Sequence, residues 1–75
     1  MDNLLSRIQI RPGVRSGKPC VKGTRLTVGD VLSYLGSGMT EGQVIEHFSE
    51  LSHQDILACL QWDAQREQMT EVVTL

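Results

Sequence analysis

The chain has 75 residues, 40% of them hydrophobic and 21% charged, with a formal net charge of −2. That length makes one small domain with a thin interior, and such domains commonly lean on disulfides, a metal or a partner chain. Two cysteines, no basic and apolar leader around Met1–Leu5 and no apolar run of membrane-spanning length set the expectation of a reduced, cytoplasmic protein without disulfides.

The charge is strongly polarised along the chain. Arg7, Arg11, Arg15, Lys18, Lys22 and Arg25 face only Asp2 in the first 25 residues, a net of +5. The remainder carries Arg66 against eight acids, a net of −7. Such a split suits a cationic surface for an anionic partner. The plain alternative is a set of basic side chains that only solvate a loop.

In chain order, Arg7-Ile8-Gln9-Ile10 alternates polar and apolar residues, the period of a half-buried strand. Arg11-Pro12-Gly13 stops it, with Pro preset for the second turn position and Gly suited to positive φ at the third. Cys20-Val21-Lys22 reads as the returning strand, which gives a β-hairpin over about 7–22. Two strands alone are marginal in water, so this hairpin must pack on the rest of the chain or pair with another copy.

A single pattern then occurs three times: an apolar residue, Thr or Ser, two residues, Asp or Gln, an apolar residue. It stands at Leu26-Thr27-Val28-Gly29-Asp30-Val31, at Met39-Thr40-Glu41-Gly42-Gln43-Val44 and at Leu51-Ser52-His53-Gln54-Asp55-Ile56. Each hydroxyl can accept the amide of the third helical residue, whose side chain reaches back to the cap amide. Helices are therefore predicted over about 28–36, 41–48 and 53–67. Their core faces would be Val28, Val31, Leu32 and Leu35; Val44, Ile45 and Phe48; and Ile56, Leu57, Leu60 and Ala64, with Trp62 on an adjoining stripe. The tail at 70–75 is rich in β-branched residues and reads as a strand awaiting an edge or as a loose end. The fold class that follows is mainly α: a three-helix bundle, helix-turn-helix-like, with a short N-terminal β-hairpin, forming a single domain over 1–75 that is expected to dimerise.

Catalytic and cofactor patterns fail on spacing. Gly13 to Pro19 superficially resembles a phosphate loop, yet it is one residue short between its glycines, and Pro19 replaces the magnesium-binding hydroxyl. Cys20, His47, His53 and Cys59 lack the paired short spacings of a zinc site. Neither cysteine has a basic neighbour to make it a nucleophile. No enzyme activity, metal or cofactor is expected. The basic residues remain: Arg11, Arg15, Lys18 and Lys22 on the hairpin, with Arg25 beside the first helix, could clamp phosphates or carboxylates. Gln54 and Gln61 on the third helix could contact bases, although Asp55, Asp63 and Glu67 on that helix would repel a phosphate backbone. Arg25 could equally be an internal brace against Asp30 or Glu50.

Gly17-Lys18-Pro19, followed by Gly23-Thr24-Arg25, Val28, Gly38-Met39-Thr40 and the helical spacing behind them, resembles the signature of the domain of unknown function 433 family, over roughly Arg7 to Trp62. Cys20 departs from that pattern, where an aliphatic residue is usual, as does Ser49, where proline is common. The resemblance implies an antitoxin-like helix-turn-helix protein, of a kind often encoded beside a PIN-type nuclease toxin. The expected function is to bind and neutralise such a nuclease, with double-stranded operator DNA as a further ligand. The alternative is a stand-alone dimeric DNA-binding module with no toxin partner.

Overall fold

The structure, a computed structural model, describes the backbone of residues 3–71 and the side chains of residues 3–66. A 3-10 turn at Leu4–Arg7 leads into β1 (Ile8–Gln9), and a second 3-10 turn at Arg15–Gly17 leads into β2 (Cys20–Val21). Three helices follow, α1 (Val28–Gly36), α2 (Glu41–His47) and α3 (His53–Glu71). The molecule is thus mainly helical, with a short antiparallel hairpin at its N-terminal end, as the patterning predicts.

The hairpin pairs Ile8 with Val21 and Gln9 with Cys20. Its first turn has the chemistry read from Pro12-Gly13: the Val14 amide donates to the Arg11 carbonyl at 3.1 Å, and Gly13 takes φ 81°. Beyond β2 the chain reverses at once. The Val21 amide donates to the Leu26 carbonyl and the Val28 amide to the Pro19 carbonyl, both at 2.9 Å. Cys20 bridges Thr27 in the same reversal. β2 is therefore enclosed between β1 and the entry to α1, which explains why Cys20 and Val21 are both buried although they point to opposite faces.

All three helices start on reciprocal caps. Asp30 N–H donates to Thr27 Oγ1 at 2.9 Å while Thr27 N–H donates back to Asp30 Oδ2 at 3.1 Å. Thr40 and Gln43 repeat the exchange at 3.1 and 2.8 Å, and Ser52 and Asp55 at 3.2 and 3.0 Å. With the first amides satisfied, α1 buries Val28 and Val31 and α2 buries Val44, while α3 contributes Ile56, Ala58 and Cys59. Leu32, Leu35, Ile45 and Phe48 pack around that centre, and Tyr34 stacks on Phe48 with ring centroids 4.9 Å apart.

The sequence reading of α3 needs correcting. Leu60 is 41% exposed and Ala64 is exposed, whereas Asp55, expected on the solvent side, is only 8% exposed. The buried stripe runs through Asp55, Ile56, Ala58 and Cys59, with Trp62 partly buried beside it; Leu57 is half-buried, and Leu60 and Ala64 face outward. A carboxylate tolerates that position because it is paired: Arg7 Nη1 lies 3.1 Å from Asp55 Oδ1, and the Ser52 amide binds Oδ2. The N-terminal turn, which carries no strong sequence signal, packs Leu4 against the core. The helix also runs past residue 67 to Glu71, so Thr70 and Glu71 are helical rather than part of a strand or loose tail. Val72–Leu75, the rest of that tail, lie outside the described residues.

Candidate partner-binding site

The six cations of the N-terminal third divide into two sets. Arg7 is committed to the start of α3, where it holds Asp55 and also donates to Gln54 Oε1. Arg15 is committed to α1: its Nη1 donates to the Arg25 carbonyl and to Asp30 Oδ2, both at 2.8 Å. Arg11 is half-buried and donates through Nη2 to the Thr24 carbonyl at 3.2 Å. These three tie the hairpin to α1, α3 and the loop between β2 and α1.

Lys18, Lys22 and Arg25 form the second set. All three are exposed, and none makes an ion pair among the described residues. The internal brace considered for Arg25 exists, but Arg15 supplies it. Arg25 takes part through its backbone carbonyl, which fixes the chain at that point and leaves the guanidinium outward. Arg25 and Arg11 line a shared surface cleft with Thr24 and Glu50.

The electrostatics around Arg15 follow from geometry. Partial burial of Asp30 raises its pKa, but the Thr27 amide, the Arg15 guanidinium and the Thr27 hydroxyl outweigh that and hold it below the ordinary value of 3.8. Arg15 and Ser16 adopt φ 49° and 59°, followed by Gly17 at φ 74°. The two bonds from Arg15 hold this left-handed run in place.

On α3, Gln54 and Gln61 are both exposed, with Gln54 accepting from Arg7. Asp63 remains exposed on the same helix, while Asp55 has withdrawn into its pair with Arg7. The cysteines offer no nucleophile: Cys20 and Cys59 are buried, and burial together with the negative charge of Asp55 pushes the Cys59 thiol up to about 12. Among the described residues no helix is long and apolar enough to cross a membrane, and no three His, Cys, Asp or Glu side chains gather as metal ligands would.

Two cations take roles that the sequence does not announce: Arg15, a candidate phosphate or carboxylate contact, serves as an internal tie instead, and Arg7 carries no site signal at all. Both pair with the acidic member of a helix cap, Asp30 and Asp55. The cap motifs were visible, but the long-range partner of each carboxylate carried no local signal.

The architecture defines a class: a small, mainly helical domain of three helices with a short N-terminal hairpin, in which Lys18, Lys22 and Arg25 are exposed without ion-pair partners among the described residues. The chain belongs to the family described as protein of unknown function (DUF433), whose model matches residues 8–62. Its fold is similar to the crystal structure of a DUF433 member protein from Anabaena variabilis ATCC 29413, with a TM-score of 0.77 and 26% identity over 92% of this chain and 69% of that one. No curated protein matches the sequence.

Proposed function

We propose that this protein is an antitoxin-like interaction module that neutralises a PIN-type nuclease by presenting Lys18, Lys22 and Arg25 to the nuclease's carboxylates. The observation that carries this reading is the division of the cations. Three of the six N-terminal cations are used internally to fix the loops, and the other three are exposed without ion-pair partners among the described residues, in a chain that is acidic overall. A nuclease site that gathers carboxylates around magnesium offers the matching charge. Arginine can pair with a carboxylate bidentately, and truncating such a pair in a desolvated interface costs about 2–5 kcal/mol of binding. The homodimer belongs to the same reading, with β1 offering the pairing edge.

The α2–α3 helix-turn-helix, with Gln61 outward, favours operator DNA as a second ligand. Asp63 on the exposed side of α3 disfavours deep entry into a groove, so the hairpin cations would make the phosphate contacts.

Co-expression with a PIN-type nuclease, where one is encoded beside the gene, tests the main reading. Arg25→Ala should fold with wild-type stability and lose both growth rescue and nuclease binding, whereas Arg15→Ala should lose stability first. A folded Arg25→Ala protein that still rescues growth and binds with wild-type affinity removes Arg25 from the contact. A steep salt dependence of binding to upstream duplex, flattened by changing Lys18 and Lys22 to Ala, would instead support the stand-alone DNA-binding module.

A further inference from the structure

Arg15 reaches further than the loop it belongs to. Its carbonyl accepts the Lys18 amide at 3.2 Å, in a turn where the Gly17 amide also donates to the Val14 carbonyl at 3.0 Å. Its side chain reaches well along the chain, where a single nitrogen, Nη1, donates to the Arg25 carbonyl and to Asp30 Oδ2. One residue thus ties the backbone of two of the three exposed N-terminal cations, Lys18 and Arg25. Lys22 is placed by other means: its amide donates to the Arg7 carbonyl at 2.7 Å, beside the pairing of β1 with β2.

The backbone carries a strain that a plain connection does not need. Arg15 and Ser16 adopt φ 49° and 59°, directly before Gly17 at φ 74°. Left-handed residues other than glycine ordinarily occur singly, and Gly13 and Gly17 already supply the permissive points of this loop. Strain of this kind persists only where surrounding bonds hold it, and it gathers where geometry serves binding. Here the turn lets the Arg15 carbonyl hold Lys18 while the guanidinium holds Arg25.

We propose that Arg15 is the positioning residue of the cationic surface: it sets Lys18 and Arg25 in a fixed mutual register, so that the two meet a pair of nuclease carboxylates as one contact. The proposal rests on the antitoxin-like reading above and adds how the cations are ordered before binding. Cations already held in place have less freedom to lose on association than cations on independent loops. Lys22 stands outside the pair.

The test uses the full chain and a catalytically inactive PIN-type nuclease. In the free protein, 15N relaxation compares wild type with Arg15→Gly, which removes the guanidinium and suits the left-handed backbone. The order parameters of Lys18 and Arg25 should both fall below the rigid value of about 0.85, while that of Lys22 holds. Loosening at Lys18 alone, close to the substitution, overturns the register. In binding, Lys18→Ala and Arg25→Ala should each weaken affinity about tenfold, and the double variant by clearly less than the product of the two. In the Arg15→Gly background the two losses should multiply, whereas a residue that only stabilised the fold would leave the coupling as in wild type. Arg15→Lys, whose one nitrogen can serve both acceptors, should retain the coupling. Asp30→Asn, which keeps an acceptor for the Thr27 amide but gives up the charge that holds Arg15, should weaken it. Losses that already multiply in wild type overturn the shared contact and leave the single cations standing. Failure of wild type to bind the nuclease overturns the antitoxin-like reading and the shared contact with it, and the order parameters then decide the register by themselves.

Discussion

Arg15 adopts φ 49° and Ser16 φ 59°, conformations that cost non-glycine residues about 1–2 kcal/mol each. The cost is offset because Arg15 reaches both the Arg25 carbonyl and the Asp30 carboxylate from there. The sequence could reveal Asp30, because the spacing from Thr27 marks a cap, but nothing local in Val14-Arg15-Ser16 announces a left-handed turn or names its distant partner. The lowered pKa of Asp30 makes the link testable. A carboxylate depressed in the folded state adds stability that is fully present above its unfolded value, near 3.8, and is lost as pH falls through the folded value. Chemical denaturation at neutral pH and near pH 3 should therefore show a larger acid loss for wild type than for Asp30→Asn. Equal losses would mean that Asp30 does not carry this pH dependence. At neutral pH, Asp30→Ala should cost about 1–2 kcal/mol through the lost cap and the partly exposed ion pair together.

Among the elements, helix starts were more legible than helix faces. A cap is a local event of four residues, and Thr27, Thr40 and Ser52 each begin the helix that their spacing predicts. Thr40→Ala should cost about 1 kcal/mol in urea unfolding, the ordinary value of a lost cap. Asp55→Ala should cost more, about 2 kcal/mol, because it removes a cap partner and strands Arg7 beside the core, with solvent at Arg7 limiting the loss. The face of α3 was misread for the same physical reason. Apolar periodicity places Leu60 and Ala64 inward, but both face out, and a carboxylate neutralised from 48 residues away takes a buried position instead. Ile56→Ala should therefore cost about 2–5 kcal/mol, and Leu60→Ala under about 1. If Leu60→Ala proves as damaging as Ile56→Ala, the helix is rotated toward the face that apolar periodicity selects.

For the whole molecule, the charge split read from the sequence has a structural counterpart. The basic third is the part held together by arginine bonds to carbonyls and helix caps, and its remaining cations, Lys18, Lys22 and Arg25, face solvent. The proposed homodimer would build on what the small sheet leaves unfinished. β1 and β2 are two residues each, and β1 has no strand on its other side among the described residues. Ile10, just past β1, is 55% exposed. Two strands of that length are marginal, and an open edge next to an exposed isoleucine is a natural place for a second copy to pair by a two-fold axis. Sedimentation of the full chain at micromolar concentration should give a dimer, and Ile10→Lys should shift it toward monomer because the added charges would face each other across the axis. Circular dichroism of Ile10→Lys should stay helical, since the side chain lies outside the core. A wild-type monomer at these concentrations that still binds nuclease would remove the pairing edge from the proposed function and leave the loop cations as the contact surface.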